Sequence, residues 1–332
     1  MDTRYGIIKR LQPLTASRPR PSVPALPSPP RTRGFAAFAW GILAYNLGVI
    51  LWGAYVRASG AGNGCGDNWP LCDNQFLPSH PQLKMLIEFL HRVSSGVDGI
   101  LIALLWGLAL WLYPRRHRVR RAASFGMLFL ITEALLGAGL VLFGWVGQNA
   151  SPARVAADSL HLVNTLFLLA SVLLTAAWAS GLPAFRLRGR GRPTFLLITA
   201  VAGFLVTGIC GVMAALADTL FPSASLAAGL RQDFTGTGQL LQRLRVIHPA
   251  VAVLFGLFLL YLVVEGIPRP VTPLARRLGF GLAAAVLTQW SLGVLDIAFL
   301  TPIWLQMLHL LVADLLWLTL LLFAAATLSS PN

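Results

Sequence analysis

The sequence predicts an all-α integral membrane protein. Its eight transmembrane helices should form two four-helix bundles, repeated in parallel and related by a pseudo-twofold axis along the membrane normal. Three observations lead there. Of 332 residues, 56% are hydrophobic and only 11% charged, which is far from the balance of a soluble domain. Eight apolar runs reach the length of about 20 residues that spans a bilayer, near 35–56, 84–112, 122–146, 155–180, 194–217, 244–264, 275–299 and 303–326. The last four runs repeat the plan of the first four. No stretch remains for a soluble catalytic domain, so any chemistry belongs to the bundle or its loops.

A net charge of +14 suggests nucleic acid, but the basic residues are distributed otherwise. Seven lie in the N-terminal tail: Arg4, Lys9, Arg10, Arg18, Arg20, Arg31 and Arg33. Arg115, Arg116, Arg118, Arg120 and Arg121 lie between the second and third runs, and Arg186, Arg188, Arg190 and Arg192 between the fourth and fifth. Arg269, Arg276 and Arg277 lie between the sixth and seventh. That puts 19 of 26 on one face, the positive-inside pattern, and predicts cytoplasmic termini. The basic charge sets orientation; nucleic-acid binding is not expected. Residues 1–34, rich in Pro, Ser and Arg, are expected to be a disordered cytoplasmic tail, with an organelle-targeting segment as the alternative. The remaining divisions are a first half over 35–180, a linker over 181–193, a second half over 194–326 and a C-terminus over 327–332.

In chain order, the first span ends at Arg57 and leads into a loop of some 26 residues rich in Gly, Pro, Asn and Asp. Loops of that length in compact bundles are usually functional. It carries Cys65 and Cys72, on the face opposite the basic loops, where a disulfide is favoured; two unpaired thiols are the other reading. The second span opens KMLIEFLHR, and Glu88, His91, Ser95 and Asp98 form one polar stripe that must face the bundle. The third span has one acid, Glu133, followed by Gly137, Ala138 and Gly139, which allow close helix approach. The fourth carries His161 and Asn164, and Cys210 in the fifth reads as packing.

The second half echoes these features. His248 stands for His91, with Arg245 at the place of Glu88. Gln289 stands for Glu133, and His309 for His161. The offsets are 157, 156 and 148 residues, as expected of a duplicated four-helix unit with a small loop deletion. An even number of helices per unit gives both copies the same orientation.

Four of the six histidines therefore sit on the even-numbered spans at matched depth, two per half. Two facing imidazoles in a four-helix bundle hold a flat haem from both sides. A zinc or copper site would want further ligands nearby. A di-iron site would need a second Glu-x-x-His, where the chain has Arg245-x-x-His248. The expectation is two haem sites near one membrane surface. The half with Glu88 is assigned the reaction, and the half with Arg245, suited to a haem propionate, the redox support.

EFLHR, HLVNT, ADTLFPSASLAAGLRQDF, the IHP of the sixth span and the paired loop cysteines resemble haem A synthase, over about residues 35–326. The resemblance implies oxidation of the C8 methyl of haem O to the formyl group of haem A, for terminal oxidase assembly, with haem b as cofactor. It implies that His91 and His161 flank the substrate haem and that His248 and His309 ligate haem b. Glu88 matches the catalytic acid, and Cys65 with Cys72 the loop disulfide. Implied partners are haem O synthase, an electron donor such as a quinol or a ferredoxin, the lipid bilayer and a second copy of the chain. The expected location is a prokaryotic plasma membrane, ahead of the mitochondrial inner membrane. The rival is a two-haem cytochrome b-type electron carrier, which would place one histidine pair near each surface. A transporter would show broken helices at mid-membrane, and a prenyltransferase clustered aspartates for a metal-bound diphosphate.

Overall fold

A computed structural model describes residues 30–184, 191–234, 240–266 and 272–329. The expected tail up to Pro29, and Arg186, Arg188, Arg190 and Arg269 of the basic loops, lie outside the described residues. Ten α-helices follow in order among the described residues: α1 (Pro30–Ala58), α2 (Leu83–Leu112), α3 (Arg118–Leu142), α4 (Pro152–Ala179), α5 (Gly191–Leu220), α6 (Leu226–Phe234), α7 (Leu240–Leu244), α8 (Ile247–Tyr261), α9 (Pro273–Ala298) and α10 (Ile303–Leu328). A π-helical turn, Leu262–Gly266, extends α8. Eight segments are long and apolar enough to cross a membrane, the sixth running through α7 and α8 as Leu241–Gly266. The chain is thus all-helical and multi-pass, as expected.

Local chemistry sets the helix starts. Ser151 and Thr272 each precede a proline, and their side chains accept from the N–H three residues on, Arg154 at 3.3 Å and Ala275 at 3.1 Å. Proline at the first helical position loses no bond, because that N–H has no intrahelical partner. At the start of α3, His117 Nδ1 accepts from Val119 N. Three features differ most from expectation: α1 begins at Pro30 rather than at Phe35, α3 runs Arg118–Leu142 rather than 122–146, and the loop of the second half contains α6. Apolar periodicity cannot announce a nine-residue helix whose register is set by Ser225 Oγ, which accepts from Ala228 N at 3.2 Å.

The packing closes two rings. In the first, α1 packs on α2, α2 on α3, α3 on α4 and α4 on α1; in the second, α5 packs on α8, α8 on α9, α9 on α10 and α10 on α5. The rings meet where α1 and α4 lie against α5 and α10. Leu169, Leu173, Leu259, Leu282, Leu320 and Trp317 are buried in the shared core, whereas Ile100, Leu135, Phe195, Leu254 and Val294 are exposed on the rim that lipid would cover. Trp317 and Arg57 bridge the rings by hydrogen bonds. Trp317 Nε1 donates to the Leu166 carbonyl at 2.9 Å. Arg57 Nη1 donates to the Ala215 carbonyl at 2.7 Å and to Thr219 Oγ1 at 2.9 Å.

Close helix approach depends on Gly256, where a Cβ would lie 2.5 Å from Trp290 Cζ2. The indole cannot simply withdraw, since its Nε1 donates to the Ala252 carbonyl at 3.2 Å. Gly256→Ala should therefore cost about 1–3 kcal/mol through overpacking and lower the unfolding midpoint in detergent. An unchanged midpoint would show that α8 and α9 have room to separate.

Candidate functional site

All four membrane histidines lie toward the end of the bundle that carries the Cys65–Cys72 loop. His91 and His161 come from α2 and α4, and His248 and His309 from α8 and α10. In the second ring the two imidazole centres are 6.4 Å apart, with ring planes at 78°. Each imidazole packs against a glycine of the preceding spanning helix. A Cβ at Gly53 would lie 2.9 Å from His91 Cε1, at Gly137 3.9 Å from His161, at Gly211 3.2 Å from His248 and at Gly293 3.4 Å from His309. A side chain at Gly53 or Gly211 would push the ring aside, so the missing Cβ is part of the seats of His91 and His248, whereas Gly137 and Gly293 make ordinary packing contacts.

The donor set fits a haem. The Nδ1 atoms of His91, His161, His248 and His309 are all buried without a hydrogen bond of good geometry, an expensive condition for a polar atom unless the ring has another task. A metal bonded about 2.0–2.1 Å from each imidazole nitrogen, with about 1.1 Å more to each ring centre, needs centres about 6.3 Å apart. The pair at 6.4 Å meets that requirement.

The loop between α1 and α2 is held against the start of α2, the helix that carries His91. Cys65 and Cys72 form a disulfide, which resolves the alternative left open by the sequence, and both are buried. Glu88 ties this loop to α2: Oε2 accepts from Cys65 N at 2.9 Å and Oε1 from Arg92 Nη2 at 2.6 Å. Arg92 Nη1 reaches the carbonyls of Asn68 and Leu71, both at 2.5 Å. Glu88 thus lies at the same helix end as His91, but its oxygens engage the loop rather than the imidazole. Gly64 lets the loop sit this close, since a Cβ there would fall 2.5 Å from the Lys84 carbonyl.

Arg245 does the corresponding work in the second ring with opposite charge. Its Nε donates to Asp233 at 2.7 Å and its Nη1 to Asp218 at 3.3 Å, while Nη2 reaches Ser223 Oγ at 3.2 Å and the Gly229 carbonyl at 3.4 Å. The guanidinium expected to hold a propionate is occupied with the loop that contains α6.

Sequence reasoning missed the acid that does meet a histidine. Glu133 Oε1 lies 3.4 Å from His161 Nδ1 and accepts from Thr165 Oγ1, while Oε2 accepts from Asn164 Nδ2 at 2.6 Å. A signal existed: Glu133 lies nine residues from the end of α3 and His161 nine from the start of α4, which is equal depth on antiparallel neighbours. Deeper in the first ring, Asn46 Nδ2 donates to Asp98 Oδ2 at 2.5 Å, completing the polar stripe of α2.

The fold and the site define a multi-pass membrane protein with paired imidazoles at one end of two helical rings. Residues 36–321 match the cytochrome oxidase assembly protein family. The chain belongs to that family. It is 43% identical over 296 residues to a protoheme IX farnesyltransferase of Thermus thermophilus, a match covering 88% of this chain and 48% of that protein. It is 38% identical over 128 residues to the heme A synthase of Bacillus mycoides, covering 39% of each chain. The match to the heme A synthase of Bacillus cereus strain AH187 is 38% over 126 residues, covering 38% of each. The chain therefore spans about half the length, or less, of these curated relatives.

The disulfide closes a ring small enough that the chain-entropy model gives it about 2–3 kcal/mol. Cys65→Ser with Cys72→Ser should lower the unfolding midpoint and abolish its sensitivity to reductant. The unreduced native chain should alkylate at Cys210 alone; labelling of three thiols would contradict the pairing.

Proposed function

We propose that this chain is a haem A synthase: a membrane oxidoreductase that converts the C8 methyl of haem O into the formyl group of haem A. The carrying observation is the placement of both histidine pairs at one end of the bundle, under two differently charged loop tethers. A cytochrome carrying electrons across the membrane would need one pair near each surface. The name of the Thermus relative raises a farnesyltransferase reading, which needs a metal bound by clustered acids. Among the described residues no group of three His, Cys, Asp or Glu could hold one. The matched half of that relative is consistent with a chain that works beside the reaction supplying farnesylated haem, so haem O synthase is the partner we propose. A quinol or ferredoxin donor completes the set.

In this reading His91 and His161 flank substrate haem O, and His248 and His309 hold haem b. Haem b, when bound, supplies one-electron redox chemistry. The rest is the work of the chain. Gly53 and Gly211 leave the room that the His91 and His248 rings occupy. The disulfide loop, pinned by Glu88 and Arg92, covers the first pair and limits water. Glu88 carries the negative charge closest along α2 to His91, where it can take a proton from the oxidised carbon or balance positive charge developing there. Arg245, with Asp218 and Asp233, ties the loop that contains α6 to the start of α8, the helix that carries His248. The distribution of basic residues supports termini in the cytoplasm of a prokaryotic cell, with the histidine pairs toward the opposite face of the plasma membrane.

Expression in a host that accumulates haem O, followed by haem extraction and chromatography, tests the assignment. The wild-type chain should yield haem A. Glu88→Ala should keep its haem content and stop at haem O or a hydroxylated intermediate. Undiminished haem A from that variant would remove Glu88 from the chemistry, and no haem A from the wild type would remove the function.

A further inference from the structure

The two rings differ at the position of Glu133, which contacts a histidine directly. In the first ring Glu133 approaches His161 Nδ1 at 3.4 Å and is itself held by Thr165 and by Asn164, whose Nδ2 also reaches the Phe129 carbonyl at 2.8 Å. Thr132 Oγ1 adds a hydrogen bond to Asn164 Oδ1 at 2.6 Å. The carboxylate is therefore fixed by three side chains of α4: His161, Asn164 and Thr165. In the second ring the corresponding residue is Gln289, four residues before Gly293 as Glu133 is four before Gly137, and its Oε1 is buried without a partner. The second ring thus offers an amide where the first has a carboxylate, and the positions matching Asn164 and Thr165 are Val312 and Ala313.

We propose that Glu133 is the positioning residue of the first histidine pair. Its carboxylate holds His161 through the Nδ1 proton, leaves Nε2 as the ligating atom, and makes this imidazole a stronger donor than either histidine of the second ring. A carboxylate behind a ligating histidine fixes its tautomer and raises its basicity. A stronger donor favours the ferric state, so bonding behind the ligand becomes a lever on potential. The haem held by His91 and His161 then has the lower midpoint potential, and an electron placed on it is offered onward more readily than one on the haem held by His248 and His309. The same bond explains why the polar group Asn164-Thr165 sits one turn beyond His161 and has no counterpart beyond His309. This inference rests on the reading of His91 and His161 as haem ligands.

The test is a redox titration of the full-length, haem-loaded protein in detergent, with His161→Ala used to identify the first-ring haem by its loss. Glu133→Gln should raise the midpoint potential of that haem, weaken its retention by about 10–100-fold, and leave the second haem unchanged as an internal control. Glu133→Asp, which keeps the charge, should recover part of both losses. An unshifted potential and unchanged retention in Glu133→Gln would overturn the proposal. Loss of both haems together in Glu133→Gln would also overturn it, because that is the signature of a purely structural residue. If the wild type holds no haem that depends on His91 or His161, the ligand reading falls and takes this inference with it. A haem that is held but indifferent to Glu133 sinks this inference alone.

Discussion

An imidazole nitrogen buried in a membrane bundle without a partner is a cost that a fold does not carry idly. Here His91, His248 and His309 have such a nitrogen at one end of the molecule, and His161 beside them has only Glu133, 3.4 Å away. The remaining architecture serves that condition. Two closed rings of four helices each supply two of the histidines, glycines let neighbouring helices come near them, and two long loops lie at the same end.

The contrast between Glu88 and Arg245 gains a second meaning from the coordinates. At equivalent places, one half uses an acid that accepts from the loop's Cys65 N–H and from Arg92, and the other a guanidinium that donates to Asp218 and Asp233. Both residues solve the same mechanical problem of pinning a cap to a helix. The first cap is stiffened by a disulfide, the second by an ion-pair cluster and a short helix. The pairing differs as well: Glu88 is balanced by one cation, Arg92, whereas Arg245 faces two acids, Asp218 and Asp233. Glu133 against Gln289 adds a second asymmetry of the same kind, this one in contact with a histidine.

The spans were legible because a bilayer imposes length and composition so strictly that apolar runs leave few alternatives. The histidines were legible because each half of the sequence carries one on both of its even-numbered spans. What stayed hidden depends on through-space pairing. KMLIEFLHR shows Glu88 three residues from His91, yet nothing local says that the carboxylate turns to the Cys65 N–H. Glu133 looked like a lone acid because its partners, His161, Asn164 and Thr165, lie about 30 residues away on another helix. Helix α6 escaped because its start is set by one serine rather than by periodicity.

The central claim is that the four histidines form two separate haem sites, one in each ring. Low-temperature electron paramagnetic resonance of the purified, haem-loaded chain tests it most directly when His161→Ala and His309→Ala are measured beside the wild type. Two distinguishable low-spin signals are expected, each variant losing one and keeping the other. A single signal, or two that survive both substitutions, would contradict the account.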